Sequence, residues 1–145
     1  MDTQELSDRS EIATLLARYG KAVDRKDWQL YRQLFLPNAS IDYTSAGGIQ
    51  GNTETQALWL EDALAQFPTT QHMIANIDIE FVDADTAVVE AIFHNPMVMP
   101  DKSAWVTGGW YHHEMVRTEE GWRSRKLREE SAYFSGMPKD LDRPE

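Results

Sequence analysis

At Pro68 the hydrophobic period of this chain changes. Before it, apolar residues recur at helical spacing: Ile12, Leu15, Leu16, Tyr19 and Val23, then Trp28, Leu30, Tyr31, Leu34 and Phe35, then Leu60, Leu64 and Phe67. After it they alternate, with Met73, Ala75, Ile77, Ile79 and Phe81 set against Asn76, Asp78 and Glu80. A period of 3.6 residues paints one stripe on a helix, and a period of two paints one face of a strand. Helices first and a run of strands after is the signature of an α+β fold, a curved sheet with the N-terminal helices over one face. A cover of that kind leaves a closed end and an open mouth, a natural pocket.

Punctuation along the chain divides it further. The first helix is expected to start near Ser7 or Asp8, because Glu11 lies three residues after Asp8 as in a capping box. Asp27 is an expected N-cap for a second helix, which should stop at Pro37. Residues 39–43 read as a short strand, and 45–52, with three glycines, as a loop. Thr53 with Gln56 suggests a capping box for the third helix. Strands are expected from Met73, at 86–93, 104–117 and 122–133, with Glu119-Glu-Gly as a hairpin turn. One domain over 1–134 is expected, followed by a polar, loose tail at 135–145.

The bulk numbers exclude some partners. Formal net charge is −10, which disfavours nucleic acid and anionic membrane surfaces, both of which need clustered Lys and Arg. There is no cysteine, hence no thiolate chemistry. The opening Met-Asp-Thr-Gln-Glu-Leu-Ser-Asp does not read as a signal peptide, and a cytoplasmic location is expected. A curved sheet with aromatic residues to cover on its outer face also suggests self-association, as a homodimer or homotrimer.

Chemistry enters at Asp24, Tyr19 and His72. Beside the apolar stripe of the first helix lie Ala13, Ala17 and Gly20, and Asp24 continues that small flank. A flank without bulk leaves room, and the carboxylate points into it. His72 opens the first long apolar strand. An imidazole titrates near neutral pH, and a carboxylate on its other nitrogen fixes the tautomer and stabilises the imidazolium. Tyr19 is either a core aromatic or a hydroxyl that polarises an oxygen of the substrate. Tyr43, Trp110 and Arg128 are candidates to bind that substrate. For the aromatic belt of Trp105, Trp110, Tyr111 and Trp122 the alternative is sheet core or subunit interface. For Arg128 it is plain surface charge. A metal site among His72, His94, His112 and His113 is not expected, since adjacent His112 and His113 must point to opposite faces. No Gly-x-Ser-x-Gly elbow, Walker motif or dinucleotide motif occurs.

Taken together, Tyr19-x4-Asp24, Arg25-Lys-Asp-Trp28, Ile41-Asp-Tyr43 and Thr70-Gln-His72 resemble the SnoaL-like branch of the nuclear transport factor 2-like superfamily. The closing Gly109-Trp-Tyr-His-His-Glu-Met-Val-Arg, with Glu-Glu-Gly-Trp122, is similar to that family's last strand pair. The resemblance covers roughly residues 6–134 and implies a cone-shaped α+β barrel. Among the family's enzymes, scytalone dehydratase, hexachlorocyclohexane dehydrochlorinase and bile acid 7α-dehydratase are similar at Asp24 and His72, and the last also at Tyr19. The resemblance implies a cofactor-free lyase with His72 as base, Asp24 as its orienting partner and Tyr19 as hydroxyl donor. Its substrate would be a mostly apolar cyclic hydroxy or keto compound. Two positions depart from scytalone dehydratase: Val23 stands where that enzyme has Tyr, and Val106-Thr-Gly-Gly109 carries no His in register. The alternatives within the family are a non-catalytic ligand-binding module, the small subunit of a ring-hydroxylating dioxygenase, and a polyketide cyclase.

Overall fold

The computed structural model describes residues 1–141. Helix α1 (Thr3–Arg25) starts five residues before its expected first turn. Asp2 is the N-cap, its carboxylate accepting from the Glu5 N–H at 2.7 Å. Asp8 and Glu11, read as a capping box, instead tie the helix to the sheet. Asp8 is bound by Arg117 and by the Trp122 indole, and Glu11 accepts from the Trp122 backbone N–H. Helix α2 (Trp28–Gln33) begins at its predicted cap, Asp27. Strand β1 (Phe35–Asp42) begins earlier than expected and runs through Pro37. Its pairing with β7 is interrupted between Phe35 and Ser40, which accommodates a residue with no N–H to give.

Strand β2 (Gln50–Gly51) leads into α3 (Thr53–Ala63), which is capped by Asn52 rather than Thr53. Gln56 does not close a capping box; it is buried and donates to the carbonyls of Ile41 and Ile49. Four long or medium strands follow a short β3 (Thr69–Thr70): β4 (Met73–Asp83), β5 (Thr86–Val98), β6 (Ala104–Thr118) and β7 (Gly121–Ser135). They form one curved, seven-stranded mixed sheet in the order β2-β1-β7-β6-β5-β3, with β4 also pairing β5 and β1 running parallel to β7. The core lies between the inner face of this sheet and the three helices: Ile12, Leu16, Tyr31, Ile41, Met115, Trp122 and Leu127 are all fully buried. No helix among the described residues is long and apolar enough to cross a membrane.

Two bulges decide which residues face that core. In β4 the pairing slips between Ala75 and Asp78, and Asn76 takes a left-handed φ of 51°, a conformation Asn tolerates better than most residues. The slip reverses the alternation. Ile74, not Met73 or Ala75, turns inward before it, and Ile77, Ile79 and Phe81 turn inward after it. In β7 the partner of Glu114 is Lys126 and that of Met115 is Ser124, so Arg125 is the extra residue. Trp122 and Ser124 face inward before it, Leu127 and Glu129 after it.

The segment expected as a loose tail is partly ordered. β7 continues through Ser135, and Met137 and Leu141 fold back onto the core at the mouth of the cone. The rest of that expected tail, 142–145, lies outside the described residues.

Candidate active site

Asp24 sits two residues before the left-handed stop of α1 at Lys26, on the same side of the helix as Gly20, four residues earlier. That pair forms a seat for the chain between β3 and β4. At Gly20 a Cβ would stand 3.2 Å from the His72 carbonyl oxygen, so the small residue lets the His72 backbone lie against the helix. The room left by the small flank is therefore filled at Gly20 by protein rather than by ligand. Ala17, on the same flank, is exposed.

Over that seat Asp24 gathers three donors. Its Oδ1 lies 2.6 Å from His72 Nδ1 and accepts from the Thr70 hydroxyl at 2.9 Å. Its Oδ2 accepts from the His72 backbone N–H at 2.8 Å. The His72 side chain is 7% exposed and that of Asp24 18%. A carboxylate facing Nδ1 requires the proton there, so in the neutral ring Nε2 carries the lone pair. The backbone and hydroxyl bonds hold the carboxylate in place whatever the ring's charge. Bonds of this kind to an ionised group contribute about 1.5–3 kcal/mol each.

His72 borders a cavity of about 100 Å³ inside the cone. Its walls are mostly apolar, including Val23, Leu60, Phe67, Met97 and Trp105, with Phe134, Met137 and Leu141 at the rim. Tyr19 and Tyr43 also line it. The Tyr19 ring stands edge-on to the His72 ring at 6.5 Å. Its hydroxyl is bonded to that of Tyr43 at 2.8 Å, which is bonded to that of Tyr31 at 2.9 Å. The Tyr19 ring also packs against that of Tyr111 at 5.3 Å, and Tyr111 stands opposite Glu129 across the β6–β7 ladder. Burial pushes the phenols of Tyr19, Tyr43 and Tyr111 well above their ordinary range, so they serve as neutral hydroxyls. Two further polar side chains line the cavity, and each has a buried atom without a partner: Asn95, through its Oδ1, and Trp105, through its Nε1–H.

Of the residues predicted from sequence, Asp24, His72, Tyr19 and Tyr43 come together here. Trp110 and Arg128 do not. Both lie on the outer face of the sheet, where Trp110 is 37% exposed and Arg128 stands opposite His112. On β6 the inward positions are Trp105, Thr107, Tyr111, His113 and Met115, and Trp110 falls between them. On β7 the extra residue at Arg125 turns Arg128 out and Glu129 in. Glu129 was not singled out from sequence, because plain alternation from Trp122 places position 128 inside, whereas Tyr111, read there as part of an aromatic belt, lines the cavity.

The histidines are dispersed. His113 is fully buried against the Ser124 hydroxyl at 2.8 Å, and burial pushes it down to about 3, so it stays neutral. His112 lies between Glu90 and Glu130 on the outer face, and His94 bonds the Tyr133 hydroxyl. Among the described residues no group of three or more His, Asp or Glu is placed to hold a metal ion.

Comparison with known proteins agrees with this architecture. An uncharacterized protein of Mycobacterium tuberculosis, Rv2910c, is 39% identical over 125 residues, spanning 85% of this chain and 84% of its own. A solved structure of a candidate scytalone dehydratase from Novosphingobium aromaticivorans superposes with a TM-score of 0.86 at 17% identity, over 99% of this chain and 97% of that one. Hexachlorocyclohexane dehydrochlorinase LinA-type3 from Novosphingobium barchaimii superposes with a TM-score of 0.80 at 20% identity, over the full length of both. At such identities the two structures share the fold. The family model for the SnoaL-like domain matches residues 4–128, and with most of its length so matched, the chain belongs to the SnoaL-like domain family.

Proposed function

We propose that this protein is a cofactor-independent dehydratase, or a related lyase or isomerase, acting on a mostly apolar cyclic hydroxy or keto compound. The observation that carries this reading is the 2.6 Å contact between Asp24 and His72 Nδ1 at the edge of an apolar cavity. A non-catalytic module has no need of an imidazole oriented by a carboxylate that is itself held by two further donors.

In the reaction, His72 Nε2 takes a proton from a carbon next to an electron-withdrawing group. Asp24 balances the imidazolium that forms and keeps the ring in place. Of the cavity's polar groups that lack partners, the Trp105 N–H donates to an oxygen of the substrate and Asn95 Oδ1 accepts from a substrate hydroxyl, while the Tyr19 hydroxyl, bonded to that of Tyr43, borders the same space. At about 100 Å³ the cavity is smaller than the ~150 Å³ cavity known to admit benzene. A ring compound therefore also occupies the open side of the cavity, past Phe134, Met137 and Leu141. The test is a mass-spectrometric screen of cyclic hydroxy-ketones for loss of water, run with wild type and His72→Ala. Turnover that vanishes in the variant while its circular dichroism is unchanged supports the reading. Equal turnover by both proteins sinks it.

A further inference from the structure

Among the described residues, Glu129 is the one acidic side chain that lines the cavity, and no Lys or Arg lines it. The bulge at Arg125 turns it inward, where it stands across the β6–β7 ladder from Tyr111. Glu129 is half-buried, and it borders the same cavity as His72. Elimination of water requires more than a base. Hydroxide is a poor leaving group, so the departing oxygen needs a proton, and a second residue can supply it while the base is still taking up its own. Resting on the lyase reading above, we propose that Glu129 is that proton donor: its carboxyl passes a proton to the substrate's leaving oxygen while His72 removes the carbon-bound proton.

The step balances. The Glu129 O–H bond breaks and an O–H bond forms on the leaving hydroxyl. The C–O bond breaks with its electron pair, and water departs. The C–H pair becomes the new C=C bond, and its proton goes to His72 Nε2. The enzyme is left with a Glu129 carboxylate and a His72 imidazolium, which is reset when the proton returns. The groups facing the Glu129 carboxyl suit both halves of this cycle. Burial without a cation pushes it up to about 8, so it holds its proton at neutral pH. Asp42 on β1 raises it further, and Tyr111, opposite Glu129 on β6, favours the carboxylate once it forms. Tyr111 is in turn backed by Tyr19 on α1, then Tyr43 and Tyr31, so the charge left behind meets a row of neutral hydroxyls. His72 borders the same cavity from the segment before β4.

The experiment compares β-hydroxycyclohexanone, whose leaving group needs a proton, with β-acetoxycyclohexanone, whose acetate leaves without one. Glu129→Gln keeps the shape but has no acidic proton. It is expected to lower kcat for the hydroxy compound by about a hundredfold or more with little change in KM, and to leave elimination of acetate near the wild-type rate. Equal loss on both substrates, or on neither, overturns the proposal without touching His72. Unchanged turnover of both in His72→Ala overturns the lyase reading beneath it. A carbon-13 NMR titration of glutamate-labelled wild type gives a check that needs no substrate. A resonance absent from Glu129→Gln should titrate well above the other glutamates, and its finding as an ionised carboxylate at pH 6 overturns the proposal as well.

Discussion

Helix α1 carries three carboxylates that reach into the sheet, and two of them, Asp8 near its start and Asp24 near its end, lie roughly 24 Å apart along the axis. Both accept several hydrogen bonds from distant parts of the chain, yet their partners differ in kind. Asp8 takes both guanidinium nitrogens of Arg117, at 2.9 and 2.8 Å, and the Trp122 N–H at 3.0 Å. Arg117 also stacks over the Trp122 ring at 4.8 Å and bonds Asp85. Every one of those donors is permanent, because arginine does not titrate in the useful range and indole does not titrate at all. Asp24 has two permanent donors and one, the His72 ring, whose charge can change, and that ring borders the cavity. A carboxylate locked to fixed donors holds two elements together. The same group bonded to an imidazole at a cavity wall would position the base of the proposed reaction. The contrast teaches that satisfaction of a buried acid does not by itself point to an active site; the proposal for Asp24 rests on a partner able to gain and lose a proton.

Four perturbations break or sharpen that contrast. The largest effect is expected from Asp24→Asn, which offers His72 an amide and so permits the wrong tautomer. Where a carboxylate orients a catalytic imidazole, this change lowers turnover by about 10⁴. The loss should fall on kcat with the unfolding midpoint nearly unchanged, whereas a fall in stability with activity retained would make Asp24 a second Asp8. Next is Asp8→Ala, which strands Arg117 and the Trp122 N–H. Because the Arg117 side chain is 31% exposed, water softens the loss, and about 2–3 kcal/mol of stability is expected in urea unfolding, with kcat per folded molecule unchanged.

Acid gives a smaller, graded form of the same result. Hydrogen bonding by Arg117 lowers Asp8 from 3.8 to about 2 in the folded protein. Its contribution is therefore complete above pH 4 and is lost as pH falls towards 2. Discounted for screening at the exposed guanidinium, it amounts to about 1–2 kcal/mol. The pH dependence of stability between 4 and 2 should flatten in Asp8→Asn, and an unchanged slope would assign the effect elsewhere. The smallest effect is expected at Gly20→Ala. Alanine gains up to about 1 kcal/mol of helix propensity, but its methyl meets the His72 carbonyl oxygen at 3.2 Å. Stability should stay within about 1 kcal/mol of wild type, while kcat falls several-fold as the His72 segment shifts; a rise in both would show that the seat has slack.

The division between what could be read and what could not runs through particular residues. Asp27 was legible as a cap and the Glu119-Glu-Gly turn as a hairpin, because each is a local feature. Asp24 and His72 were legible as a candidate pair because a polar residue beside an apolar stripe is a local anomaly. Asp2 as the first cap was missed, since Asp8 with Glu11 imitates one. What that pair does instead depends on Arg117 and Trp122, more than a hundred positions away. Glu129 was missed for a related reason. Two-residue alternation is a reliable guide to faces only while no residue is inserted, and one extra residue exchanges every side chain's face.

The amino-acid sequence by itself determined the order of the helices and long strands, the α+β class, and which acid and which imidazole stand as candidates. Those follow from periods and caps that each segment expresses alone. Tertiary structure decided that Gly20 seats the His72 backbone, that the Tyr19 hydroxyl bonds that of Tyr43, and that Glu129 rather than Arg128 faces the cavity. The bulges at Asn76 and Arg125 are set by how β4 and β7 register against their neighbours, and register is a property of paired strands that neither strand encodes alone.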